Sequence, residues 1–77
     1  MAKSQNQKLK LLYLMKIFEE CTDDDHGLTM SQIIEKLNRY DVQAERKSLY
    51  TDMEHLRLFG IDVEKRKTKS FEYYVAN

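Results

Sequence analysis

"HLRLFGIDVEKRKTKSFEYYV", residues 55–75, changes its hydrophobic period at one residue. Before Gly60 the apolar side chains recur at helical spacing. Leu49, Met53 and Leu56 stand at i, i+4 and i+7, the pattern of one buried helical face. After Gly60 the period is two. Ile61, Val63 and Lys65 alternate with Asp62, Glu64 and Arg66; Phe71, Tyr73 and Val75 alternate with Glu72, Tyr74 and Ala76. Glycine takes the left-handed conformation at no steric cost, so Gly60 is a natural end for the helix. Two alternating runs joined by "KTKS" predict a β-hairpin with a cationic tip, Tyr73 facing the core.

Working back from that junction, the third helix is expected over about 44–59, behind the short connection "DVQAE". A second helix is expected over about 30–40. Thr29 and Gln32 have the T-x-x-Q spacing of a capping box, and Met30, Ile33, Ile34 and Leu37 form its inner face. "TDDDHG" reads as an exposed turn. Consecutive aspartates do not converge on one ion as alternate positions do in a calcium loop, so no metal site is expected there. The first helix is expected over about 5–21. Its apolar residues spread wider than one stripe. Leu9, Leu12 and Met15 are expected to pack on the other helices. Leu11, Tyr13, Leu14, Ile17 and Phe18 cannot all join them, which leaves apolar surface for a partner.

At 77 residues the chain is a single small domain, 1–77, able to bury only roughly 60–65% of its unfolded surface. The formal net charge is zero, but the charges are clustered: four lysines and no acid in residues 1–18, five acids in 19–25, and "KRKTK" at 65–69. Local clustering sets the field a ligand feels, so the zero sum does not exclude a polyanion. One cysteine, no signal-peptide pattern and no apolar run long enough for a bilayer point to a cytoplasmic protein with no membrane partner. Cys21 and His55 have no companion ligands, and there is no phosphate-binding glycine loop or nucleophile elbow. The chain is expected to be no enzyme and to need no cofactor or metal.

Helix, helix, short turn, helix, hairpin is the order of a mainly α, winged helix-turn-helix domain. In such a domain the third helix enters the major groove with its N-terminal residues at base edges. Its first turns carry Arg46, Lys47, Ser48, Tyr50 and Thr51. On a helical wheel Lys47, Thr51 and Glu54 lie opposite the Leu49–Met53–Leu56 face, with Ser48 and Tyr50 flanking. Cations and hydroxyls suit base edges and phosphates, and the helix N-terminus adds a positive end. Thr29 and Ser31, at the start of the second helix, and Lys65, Arg66, Lys67 and Lys69 of the hairpin complete the expected DNA-contact set.

"ERKSLYTDMEHLRLFGIDVE" resembles the amino-terminal domain of DeoR-like bacterial regulators, closest to the branch with a downstream WYL domain. Arg46, Lys47, Ser48, Leu49, Asp52, Met53 and Leu56 match that branch's R-(R/K)-T-I-x-R-D-I-x-x-L run. "KLKLLYLMKIF" and "LTMSQIIEKL" are similar to its first two helices, so the likeness runs from about Lys8 to Val75. Thr51 stands where the family usually has arginine, and Gln43 where a stronger N-cap is common. The resemblance implies sequence-specific binding of double-stranded DNA, a homodimer, and a C-terminal effector domain. The alternative from a different class is a winged helix used for protein interaction or dimerisation without DNA.

Overall fold

The computed structural model describes residues 8–76. It contains three helices, α1 (Lys10–Cys21), α2 (Met30–Arg39) and α3 (Arg46–Phe59), followed by strands β1 (Val63–Lys67) and β2 (Phe71–Val75). The architecture is the expected one, mainly helical with a two-stranded hairpin. The expected start of the first helix at 5–7 lies outside the described residues.

Local chemistry fixes the element ends. The capping box at α2 is complete: the Gln32 backbone N–H donates to Thr29 Oγ1 at 3.2 Å, and the Thr29 N–H donates to Gln32 Oε1 at 2.9 Å. Gly60 closes α3 in the left-handed region at φ 114°, and its N–H donates to the Leu56 and Arg57 carbonyls. The residue flanking α3 at its start is Glu45, two positions after Gln43, and no side chain caps it. In the connection, Asp41 takes a positive φ of 61° while Val42 is fully buried.

The strands pair antiparallel, Val63 opposite Val75 and Lys67 opposite Phe71. Leu28, in the segment before α2, pairs with Tyr73 on the other side of β2. Each donates its N–H to the other's carbonyl, at 2.9 and 2.8 Å. Gly27 is required beside this bridge, because a Cβ there would sit 2.9 Å from Glu72 Cβ. Buried Thr22 makes a second tie: its hydroxyl donates to the Phe18 carbonyl at 2.6 Å and accepts from the Val75 N–H at 3.1 Å. The turn 23–26 is held by Asp23, whose Oδ1 accepts from the Asp25 and His26 N–H groups and meets His26 Nδ1 at 2.9 Å.

One core joins all five elements: Leu14, Ile17 and Phe18 of α1; Met30, Ile33 and Leu37 of α2; Leu49, Met53 and Leu56 of α3; Leu28, Val42, Val63 and Tyr73. Tyr73 faces inward as the alternation requires. The rotation of α1 differs from expectation. Leu9 and Leu12 are exposed, at 40% and 59%, while Leu14, Ile17 and Phe18 are buried. A helix with apolar residues on every side does not declare its inner stripe. Lys10 shares the stripe of Leu14 and Ile17 and pairs with α3. Tyr13 stacks on Tyr40 at 4.5 Å between ring centroids, which fixes α1 against the end of α2. Among the described residues, no helix is long and apolar enough to cross a membrane.

Candidate nucleic-acid interface

The first turns of α3 and one face of the hairpin form a cleft of about 400 Å3. Its wall includes Arg46 and Tyr50 from α3, Thr29 from the start of α2, and Lys67, Lys69 and Ser70 from the hairpin. No carboxylate lines it. The strand period puts Val63, Lys65 and Lys67 on the face that carries Tyr73 and Phe71. Val63 and Tyr73 plug the core, and the two lysines continue the same face beyond it. The Lys65 and Lys67 ammonium groups lie 4.9 and 5.6 Å from the centroid of the exposed Phe71 ring, an attraction to the ring face.

The cations fall into groups. Lys10, Lys16, Arg39, Arg57 and Arg66 each have a carboxylate within 4.0 Å. Arg46, Lys47, Lys65, Lys67 and Lys69 have no such partner among the described residues. These five all belong to the α3 N-terminus and the hairpin. Lys8 and Lys36 also lack a carboxylate partner there, but they stand singly, ahead of α1 and on α2. The N-terminal end of α3 contributes further positive potential beside Arg46 and Lys47.

Tyr50 packs against the hairpin. Its ring meets Tyr73 edge to face, with centroids 6.3 Å apart. The hydrogen bond from Tyr73 and then that from Arg46 hold the Tyr50 hydroxyl below the ordinary tyrosine value. Tyr73 is pushed up to about 12, first by burial and then by its bond to Tyr50.

The expected contact residues are not all brought together. Arg46, Lys47, Tyr50 and Thr51 are exposed on α3. Lys65, Lys67 and Lys69 are exposed on the hairpin, and Ser31 is exposed on α2. Thr29 is half-buried, and its hydroxyl is already the α2 cap. Ser48 turns toward α1: its hydroxyl accepts from Lys10 Nζ at 2.8 Å and donates to the Glu45 carbonyl at 3.1 Å. Arg66 lies on the opposite strand face from Lys65 and Lys67. Its guanidinium donates to the Asp24 carbonyl at 2.8 Å, sits 3.7 Å from Glu72 and covers the Tyr74 ring at 4.6 Å. It fastens the hairpin to the acidic turn. Thr29, Ser48 and Arg66, all in the expected DNA-contact set, are thus also engaged within the fold.

Two participants in this surface are not evident from the residue pattern that suggests the others. Phe71 carries the lysines on its ring. Arg57 locks α3 to β1, its Nε donating to the Val63 carbonyl at 2.8 Å and its Nη1 meeting Glu54 at 2.6 Å. That pair also neutralises the acid on the outer face of α3. The i, i+3 spacing of Glu54 and Arg57 is a readable signal for it.

No family model, curated protein or solved structure matches the chain.

Proposed function

We propose that this chain is a sequence-specific DNA-binding domain of a cytoplasmic bacterial transcription regulator of the DeoR-like, WYL-associated kind. The observation that carries the reading is the clustering of cations without carboxylate partners. Arg46, Lys67 and Lys69 line one cleft, and Lys47 and Lys65 stand exposed on the same α3 N-terminus and hairpin, none with a carboxylate partner among the described residues. A groove-bound α3 would bring Lys47 and Thr51 to base edges. Arg46 and Tyr50 would meet phosphate, and Lys65, Lys67 and Lys69 would lie along the sugar-phosphate backbone. Thr51 in place of arginine makes the central contact a hydroxyl, which suits more than one base.

The test is fluorescence anisotropy against random duplex DNA at several salt concentrations. Binding at low salt whose log–log slope is steeply negative supports the reading, because phosphate contacts release counterions. Absence of binding at about 50 mM salt or below sinks it.

A protein-interaction module is the second reading, and one observation favours it. Leu58, Phe59 and Leu12 are 84%, 77% and 59% exposed. Phe59 borders an apolar groove of about 300 Å3 with Met15, Ile61 and Val75. In the DNA-binding reading this same surface is the one available for a second copy or an effector domain.

A further inference from the structure

We infer that Lys10 and Asp52 are positioning residues: they set the rotation of α3 and so decide which of its side chains reach a ligand. Lys10 Nζ reaches across from α1 to Asp52 Oδ2 and to Ser48 Oγ, both at 2.8 Å. The two charged side chains are only 14% and 15% exposed. Asp52 Oδ2 is buried with no aligned hydrogen-bond donor, so the Lys10 ammonium is its charge partner. Ser48 completes the arrangement by donating its own proton to the Glu45 carbonyl at the start of the helix.

Such a pair adds little net stability. Removing two charges from water costs roughly what their attraction returns, and apolar replacement of both is often neutral or stabilising. What it supplies is a single setting. The inner face of α3 is Leu49, Met53 and Leu56, three flexible unbranched or γ-branched side chains that can pack at more than one helix rotation. A largely buried carboxylate whose charge partner stands on a facing helix restricts the rotations that satisfy it. Ser48 and Asp52 are one turn apart on the α1 side. Lys47 and Thr51, each one position earlier on the wheel, are thereby held outward together. The geometry assigns to α1 a part in recognition that it plays without touching the ligand.

The functional half of this inference rests on the DNA reading; the structural half does not. The variant is the apolar double K10M/D52L, which leaves no uncompensated charge and is expected to melt at or above the wild-type temperature. Two measurements are made. In methyl NMR spectra, the signals of Leu49, Met53 and Leu56 are expected to broaden or split, reporting more than one setting of α3. A duplex is then selected from a randomised library with the wild-type protein. The ratio of its affinity to that of random duplex should fall on the order of tenfold in the variant, the scale of a single base-reading side chain, with the salt slope unchanged. The charge-swapped pair K10E/D52K should recover the ratio. A single sharp methyl set matching wild type overturns the inference, and so does an unchanged affinity ratio. If the wild-type chain selects no duplex, the DNA reading fails, and the methyl spectra alone decide the positioning.

Discussion

Lys65, Arg66 and Lys67 are consecutive cations on one strand, yet they belong to different regions of the molecule. Lys65 and Lys67 stand on the face that turns toward α3, over Phe71, with no carboxylate to hold them. Arg66 stands on the other face and is engaged by the Asp24 carbonyl, Glu72 and Tyr74. The difference teaches that a charge count along a strand overstates a binding surface. The field of a partnered cation is cancelled close by; that of an unpartnered one reaches outward. The same contrast separates Lys10 from Lys47, one closing a buried pair and the other exposed.

The largest effect should come from the unpartnered side. Changing Lys65, Lys67 and Lys69 together to alanine should leave the melting temperature close to that of wild type. Each lysine that had neutralised a phosphate should flatten the log–log salt slope by about 0.9 when it is removed, which at about 0.1 M salt weakens DNA binding by roughly two to three orders of magnitude for the three together. Anisotropy titrations across salt read this directly, and an unaltered slope would show that these lysines only solvate the hairpin.

The next effect belongs to the partnered side. Lys10→Met alone strands a largely buried carboxylate and should cost about 3 kcal/mol of unfolding free energy, measured by urea denaturation. A drop under about 1 kcal/mol would mean that water reaches Asp52 freely.

Arg66→Ala is the sharpest discriminator, because the two regions give opposite expectations for it. As an anchor it should cost about 1 kcal/mol of stability, from one hydrogen bond and a partly screened ion pair. The salt slope should not move. A drop of about 0.9 in slope with intact stability would return Arg66 to the binding surface.

The smallest effect concerns the turn that receives Arg66. His26 is raised, first by its hydrogen bond to Asp23, and Asp23 is lowered, first by the same bond. The raised histidine adds stability that is full below its unfolded value, near 6.5, and fades as pH rises through the folded one. The lowered aspartate adds stability that is full above its unfolded value, near 3.8, and fades as pH falls. Their joint contribution should therefore give a shallow maximum in melting temperature between about pH 4 and 6.5. Asp23→Asn should flatten it.

What the sequence disclosed follows from what is local. The change of period at Gly60, the Thr29–Gln32 box and the inner face of α2 need only neighbours along the chain, and each is present. The rotation of α1, the use of Ser48 and the Leu28–Tyr73 bridge depend on partners 38 to 45 residues away, which periodicity does not contain. Two placements had readable signals. Alternation alone puts Arg66 opposite Lys65 and Lys67. Lys10 stands on the stripe of Leu14 and Ile17, and a lysine on an inner stripe asks for a buried acid. Asp52, between Leu49 and Leu56 on α3, is where one could be found.

The reciprocal pair between Leu28 and Tyr73 has a consequence for how the molecule opens. The hairpin's own ladder is local and survives if the hairpin swings away as a unit, whereas this pair and the Thr22–Val75 hydrogen bond must break. The amides of Leu28, Tyr73 and Val75 should therefore exchange with solvent deuterium together, at a rate set by sub-global opening of the hairpin and not by unfolding of the helices. Those three protons would time the detachment of the hairpin, and a bound polyanion spanning the cleft should slow all three in step.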